Sequence, residues 1–141
     1  MCFELDSEPP IPRIAGASVS HRDLTLTSAD GTEFAAFLAE PDVANGIGIV
    51  VLPDVRGLYH FYEELSLRFA ERGYTAIVFD FFGRLAGASK RDDDFPYMEL
   101  YPKIRAQHVR DDVERRDRRE QEMPGPRRRR RGEHQRDRHP I

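Results

Sequence analysis

The sequence predicts an α/β fold in which a β-hairpin precedes a strand–helix–strand unit, and three observations support this prediction. Two segments with the patterning of β-strands lie within residues 21–38, on either side of an Asp-Gly turn signal. Two short apolar runs, residues 46–53 and 74–79, enclose a segment whose apolar residues recur with helical spacing. Residues 115–141 contain only two hydrophobic residues, so they cannot supply a core of their own.

The hairpin is predicted from alternation and from its turn. Leu24 and Leu26 alternate with threonines, which is typical of a strand with one buried face. Asp30 and Gly31 then form the turn signal, and the apolar and aromatic residues 34–38 follow as the second strand.

The strand–helix–strand unit begins with residues 46–53, a wholly apolar run that is too short for a helix. Strands that are apolar on both faces are typical of buried parallel sheets, so we expect this strand to be buried on both faces. Residues 60–72 then show helical spacing, with Tyr62 and Leu65 on one apolar stripe and Arg68 off it.

The second half of the unit starts at Gly73, where we expect a left-handed cap to end the helix. Residues 74–79 follow as a second buried strand, which completes a right-handed crossover. After a polar loop, a helix is predicted to begin near Pro102, with Val109 and Val113 among its few apolar positions.

Charge divides the chain into two parts. Residues 1–114 contain 11 Lys and Arg against 20 Asp and Glu, a charge of −9, whereas residues 115–141 contain 11 against 5, a charge of +6. No apolar run is long enough to span a membrane. The single cysteine, Cys2, excludes an internal disulfide and a multi-cysteine zinc site and favours a cytoplasmic location. Residues 92–94 are all Asp but lack the spacing of a calcium loop, so we expect no metal and no cofactor.

Two motifs resemble the N-terminal half of the dienelactone hydrolase family. They are residues 50–58, Val-Val-Leu-Pro-Asp-Val-Arg-Gly-Leu, and residues 79–84, Phe-Asp-Phe-Phe-Gly-Arg. The resemblance covers about residues 1–114 and implies a partial α/β-hydrolase fold there. Residues 115–141 are then a separate Arg-rich tail that we expect to be disordered or partly helical. The implied activity is hydrolysis of a small-molecule ester or lactone by a nucleophilic acyl-enzyme route.

The resemblance implies roles for three residues. The residue after the acidic position at the strand end donates its backbone N–H to the oxyanion hole, and here it is Val55. The acidic position itself, which interacts with the nucleophile, is Asp54, one methylene shorter than the glutamate usual in the family. Arg84 is similar to the arginine that binds the substrate carboxylate. Without the resemblance, the alternative interpretations are that Asp54 caps the next helix and that Arg84 is a solvated loop arginine.

No catalytic nucleophile is identified in the sequence. Family members continue into an elbow of the form Gly-x-Cys-x-Gly or Gly-x-Ser-x-Gly, and the two similar stretches here, at Ser18 and Ser89, lack the second glycine. Cys2 has no neighbouring histidine to activate it. We therefore expect this chain to be inactive by itself. We also expect the apolar strand at residues 46–53, without its usual neighbour, to promote self-association.

The composition of residues 115–141 suggests a frameshift near Glu114. Alanine codons of a GC-rich gene become arginine or proline codons when they are read out of frame, and residues 127–131 are five consecutive arginines. The alternative is a genuine basic tail that binds nucleic acid in a salt-dependent way. Nucleic-acid binding is the less favoured hypothesis, because the tail has no aromatic residue for base stacking and contains five interspersed acids.

Overall fold

The computed structural model describes residue 4 and residues 6–122 of the 141-residue chain, with side chains up to residue 114. A mixed four-stranded sheet lies at its centre, with the strands in the order β1-β2-β4-β3. Helical segments pack against both faces of this sheet, which confirms the α/β class. The strands are β1 (Val19–Thr27), β2 (Glu33–Pro41), β3 (Gly48–Val51) and β4 (Thr75–Phe79).

The predicted hairpin is confirmed, because β1 and β2 pair antiparallel along their whole length. In the turn between them, the Ser28 N–H donates to the Thr32 carbonyl at 2.8 Å. Gly31 has a φ of +87°, and the Thr32 N–H donates to the Asp30 carboxylate at 3.0 Å. Asp30 thus supports the turn through its side chain, and Gly31 supports it through its left-handed backbone conformation.

The strand–helix–strand unit is also confirmed. β3 and β4 pair in parallel, and helix α1 (His60–Ala70) connects them. At the end of α1, the Tyr74 N–H donates to the Phe69 carbonyl at 3.2 Å. Gly73 has a φ of +92°, which is the left-handed conformation expected of this cap.

The segments after β4 are more helical than the sequence predicts. Two short helices occupy the segment predicted as a polar loop, because local i→i+3 and i→i+4 hydrogen bonds close single turns within it. A 3-10 turn and one long helix follow. These elements are α2 (Gly83–Ala86), α3 (Tyr97–Leu100), the 3-10 turn (Tyr101–Lys103) and α4 (Ala106–Glu122).

The predicted helix start near Pro102 was wrong by several residues. Pro102 lies in the 3-10 turn, and Ile104 then has an extended backbone, with φ −68° and ψ 134°, which separates the turn from α4. Val109 and Val113, predicted as two of the few apolar positions of this helix, pack against the sheet. α4 crosses the predicted domain boundary at residue 114 without a break. That boundary stays a prediction, and residues 123–141 lie outside the described residues.

The sheet has an apolar core on each face. On one face, Phe37 and Val78 pack with Phe61 of α1. On the other, Phe34 and Phe79 meet edge to face with ring centroids 5.7 Å apart, and side chains of α4 pack against them. Because β3 and β4 are parallel, their carboxyl ends meet at the same end of the sheet.

The expectation that β3 is buried on both faces was wrong, whereas the expectation that it lacks its usual neighbour agrees with the described strands. Among the described strands β3 lies at the edge of the sheet, so β4 is its only partner there. Ile47 and Leu52, which flank β3, are each 56% exposed, and Val50 within it is 37% exposed. A continuous apolar sequence thus remains partly exposed because the sheet ends at this strand.

A second correction concerns Arg68, which the helical pattern places off the apolar stripe of α1. Arg68 is instead buried, with only 4% of its surface exposed. It forms ion pairs with Glu64, one turn earlier in α1, at 3.6 Å and with Glu71, the C-cap residue of α1, at 2.7 Å. These neighbouring carboxylates compensate for the burial of its charge.

Candidate functional site

The loop that follows β3, residues 54–58, is held in place largely by its own backbone amides. The Asp54 N–H donates to the Tyr62 hydroxyl at 2.9 Å. The Arg56 N–H donates to the Asp54 carboxylate at 2.9 Å, and the Gly57 N–H donates to the Asp54 carbonyl at 3.0 Å. Asp54 therefore folds the loop back on itself.

The two remaining amides of the loop differ from each other. The Leu58 N–H donates to the buried Asp80 carboxylate at 3.0 Å. The Val55 N–H, by contrast, has no hydrogen-bond acceptor among the described residues. An oxyanion-hole donor must be free to bond an oxygen that becomes charged only during the reaction, and the Val55 amide meets this condition.

The Asp54 carboxylate lies in a cluster with an arginine and two tyrosines. It accepts hydrogen bonds from Arg56 Nη2 at 3.1 Å and from the Tyr59 hydroxyl at 3.3 Å. Burial, and after it the negative charge of Asp54, raises the pKa of both Tyr59 and Tyr62, so the hydroxyls stay protonated. The N-cap residue of α1 is Tyr59, so the alternative interpretation of Asp54 as a helix cap is wrong.

A buried ion pair that the sequence analysis missed supports the loop. Asp80, directly after β4, is fully buried and accepts hydrogen bonds from the Phe82 N–H at 2.9 Å and from Arg91 Nη2 at 2.8 Å. The Arg91 guanidinium also lies 4.5 Å from the centroid of the Phe95 ring. Arg91 lies in the segment that the sequence predicts as a polar loop, and only the fold brings it to Asp80. The sequence signal that could have indicated this ion pair was an aspartate directly after a predicted buried strand.

Arg84, the residue similar to the family's carboxylate-binding arginine, is occupied by protein groups. Its Nη1 and Nη2 form a bidentate ion pair with the Asp112 carboxylate, and both N···O distances are 3.0 Å. Its Nε donates to Asp30 at 2.7 Å, and Nη2 also donates to the Ser28 hydroxyl at 2.9 Å. The pKa of Arg84 is raised mainly by its hydrogen bond to Asp112, whereas burial acts to lower it. Arg84 is therefore no solvated loop residue, and its role towards a substrate stays a prediction.

An open cleft of about 750 Å³ lies at the carboxyl end of β3. Asp54 and Val55 both line it, so the structure brings these two predicted site residues together. Arg84 does not line this cleft but a smaller neighbouring one of about 320 Å³. The remaining lining residues of the larger cleft are mostly apolar or aromatic: Leu52, Pro53, Phe81, Tyr101, Pro102, Ile104, Ala106, Val109 and Arg110.

The described residues contain no assembled nucleophile and base. Ser18 precedes β1 and Ser89 lies between α2 and α3, so neither is at a strand-to-helix elbow. Within the described part of the chain, no hydrogen bond joins a serine hydroxyl to a histidine; His21, for example, stacks on Phe37 with ring centroids 5.3 Å apart. Cys2 lies outside the described residues.

Within residues 4 and 6–122, no cluster of three or more His, Cys, Asp or Glu side chains could hold a metal ion. No helix there is long and apolar enough to cross a membrane.

An α/β sheet in which one parallel strand ends in a loop with a free amide, beside an apolar cleft, is compatible with the α/β-hydrolase fold class. Residues 34–128 match the dienelactone hydrolase family, and the chain belongs to this family. This match gives no support to the alternative of a nucleic-acid-binding protein. That alternative depends on residues 115–141, most of which lie outside the described residues.

Individual relatives agree with the family assignment. A carboxymethylenebutenolidase of Rhodococcus opacus is 31% identical over 90 residues, which are 63% of this chain and 33% of that protein. A solved structure from Klebsiella pneumoniae, assigned as a dienelactone hydrolase, shares the fold with a TM-score of 0.63 and 23% identity. A dienelactone hydrolase-like promiscuous phosphotriesterase from metagenomic libraries shares it with a TM-score of 0.52 and 23% identity.

The comparisons cover only part of each relative. The Klebsiella match spans 77% of this chain and 46% of that chain, and the phosphotriesterase match spans 70% and 41%. The chain thus spans between a third and a half of the length of these three relatives.

Proposed function

We propose that this chain is the oxyanion-hole half of a hydrolase that cleaves small esters or lactones through an acyl-enzyme intermediate. The observation that carries the proposal is the free N–H of Val55 in a loop whose other amides all have acceptors among the described residues. A fixed amide dipole stabilises the negative charge that develops on the carbonyl oxygen in the tetrahedral intermediate.

In this proposal Asp54 lies beside the nucleophile before the substrate binds. Its carboxylate already accepts hydrogen bonds from Arg56 and Tyr59, which hold it at a defined position. Asp54 then influences the protonation of a nearby nucleophile through its negative charge. Because aspartate is one methylene shorter than glutamate, the nucleophile must lie closer to the backbone of residue 54 than it would if this residue were a glutamate.

The size and lining of the cleft support a small, partly apolar substrate. The Rhodococcus relative is named for a butenolide, a five-membered lactone, that carries a carboxylate-bearing substituent. A ring of this size fits in about 750 Å³ beside apolar side chains such as Phe81 and Val109. We therefore propose a carboxylate-bearing lactone or ester as the substrate class.

We further propose that a change of reading frame near Glu114 separates this chain from the nucleophile. The 141 residues contain no Gly-x-Cys-x-Gly or Gly-x-Ser-x-Gly elbow. In the other forward frames, the DNA after the Glu114 codon should encode an Ala-rich helix, a β-branched strand and then the elbow, followed by an Asp and a His. If neither frame encodes an elbow, the frameshift hypothesis fails.

The catalytic part of the proposal is tested on the chain and on a frame-restored protein. The chain itself should hydrolyse p-nitrophenyl acetate no faster than a denatured control, because it lacks an elbow nucleophile. In the restored protein, Val55→Pro removes the amide donor, and we expect kcat to fall by about 10²–10³-fold. Val55→Ala is the matched control, since it shortens the side chain but retains the N–H.

Two results would contradict the proposal. Saturable turnover by the unmodified chain, abolished by a change at one residue, would reveal a nucleophile within the present sequence. Equal kcat values for Val55→Pro and Val55→Ala in the restored protein would show that the Val55 N–H is not an oxyanion-hole donor.

A further inference from the structure

The cleft at the end of β3 is lined mostly by uncharged residues. Of its eleven lining residues, only Asp54 and Arg110 carry a charge. The carboxylate of Asp54 is compensated inside the protein, because it pairs with Arg56 at 3.1 Å. Arg110 therefore supplies the uncompensated charge of the cleft wall, and this charge is positive.

Arg110 has no anionic partner among the described side chains. It lies on the second turn of α4 and is exposed to solvent. The neighbouring carboxylate, Asp111, accepts a hydrogen bond from Gln107 at 2.9 Å, and Glu114, one turn further on, forms no ion pair with it. Its guanidinium is thus available to an anion that enters the cleft.

Arg84 is in the opposite situation. All three nitrogens of its guanidinium already donate to Asp112, Asp30 or Ser28. The Asp112 carboxylate is 1% exposed, so a substrate that displaced it would leave a buried charge without its partner. A carboxylate substrate gains little at Arg84 because it must first break this pair.

We infer that Arg110, rather than Arg84, binds the substrate carboxylate in the cleft that Val55 and Asp54 line. The inference rests on the proposed function, since it assigns the specificity of the same site. A guanidinium pairs with a carboxylate through two parallel hydrogen bonds, which orient the substrate as well as attract it. The apolar ring of the substrate then packs between Phe81 and Val109, with its carbonyl towards the Val55 amide.

The experiment measures ligand binding by the chain as it exists, with no need for a nucleophile. The probes are 2-furoate, a five-membered ring with a carboxylate, and its neutral counterpart methyl 2-furoate. Titrations followed by the amide NMR signals of the cleft residues give both affinities. We expect 2-furoate to bind more tightly than the methyl ester, and Arg110→Gln to lower the furoate affinity by about tenfold.

The matched control is Arg105→Gln. Arg105 is exposed directly before α4 and does not line this cleft, so its loss changes the net charge equally but should leave the furoate affinity within about twofold. Methyl 2-furoate should bind the chain and both variants with the same affinity, because it offers no carboxylate.

Three outcomes would overturn the inference. The first is equal affinity of the chain for 2-furoate and its methyl ester, or no binding of either. The second is an equal loss of affinity in Arg110→Gln and Arg105→Gln, which would indicate general charge attraction. The third is a loss confined to Arg84→Gln while the amides of α4 remain protected from exchange. None of these outcomes depends on turnover, so failure here is distinguishable from failure of the oxyanion proposal at Val55.

Discussion

At Gly57 both the backbone conformation and the surrounding space require glycine. Its φ is +82°, and an added Cβ would lie 2.4 Å from Asp80 Oδ1, the atom that accepts the Leu58 N–H. The absence of a side chain therefore lets the carboxylate approach the loop that carries Val55. A methyl group here would push apart the two segments that form the candidate site.

Gly57→Ala should consequently lower the free energy of unfolding by about 3 kcal/mol, through backbone strain and the clash with Asp80. Gly31→Ala is the matched control, because Gly31 has a similar φ of +87° but nothing within 4 Å of its Cβ position. It should cost only about 1 kcal/mol. Urea unfolding of both variants measures the difference, and equal losses would show that the approach of Asp80 is unimportant.

Asp30 should make stability depend on acid pH. The hydrogen bond from Arg84, and after it that from the Thr32 amide, holds the pKa of Asp30 well below its usual 3.8. Since the folded-state pKa is lowered, the stabilising contribution is complete above the unfolded-state pKa and is lost as the pH falls through the folded-state value. The stability difference between the chain and Asp30→Asn should be constant from about pH 5 to 7 and shrink below about pH 4. Parallel pH profiles of the two proteins in urea unfolding would contradict this.

On the scale of elements, the Arg84 network attaches α4 to the hairpin. Ser28 and Asp30 belong to the turn between β1 and β2, Arg84 to α2, and Asp112 to α4. Among the described side chains of α4, Val109 and Val113 also make apolar contacts with the sheet. The network thus helps to hold α4, which forms one wall of the cleft.

Arg84→Ala should destabilise the chain by about 3–5 kcal/mol, because it leaves the buried Asp112 carboxylate unpaired. Arg22→Ala is a suitable control, since Arg22 pairs with Glu40 on the surface, where an ion pair contributes less than about 1 kcal/mol. Hydrogen exchange should show the additional loss in the amides of α4. Similar small effects of both substitutions would mean that α4 does not depend on this network.

On the scale of the whole molecule, the exposed edge of the sheet at β3 should determine solution behaviour. An apolar edge strand with unpaired backbone groups is a template for pairing with another chain. Val50, 37% exposed in β3, is the central residue of this edge. We expect the chain to self-associate with increasing concentration.

Val50→Lys should weaken that association, because a charge on an edge strand opposes strand pairing. Val43→Lys is the control, since Val43 is 85% exposed but lies in the connection between β2 and β3. Sedimentation velocity over a range of concentrations compares the three proteins. A chain that is monomeric throughout, or an equal effect of both lysines, would exclude β3 as the interface.

Much of the fold could be predicted because it depends on neighbours in sequence. The Asp30-Gly31 turn, the alternation around Leu24 and the cap at Gly73 are local signals, and each produced the expected element. The shared location of Asp54 and Val55 at one cleft could also be predicted, because the two residues are adjacent in the sequence at the end of a strand.

Tertiary structure alone decided the features that join distant segments. Arg91 meets Asp80 from 11 residues away, and Arg84 meets Asp112 and Asp30 from 28 and 54 residues away. No periodicity encodes such pairs, since a charged residue in a polar segment has the same pattern whether it is solvated or buried. The apolar pattern of residues 46–53 likewise does not determine how far β3 is buried, because burial of a strand depends on whether another strand lies beside it. Only the expected loss of its usual neighbour, implied by the family resemblance, indicated an exposed edge.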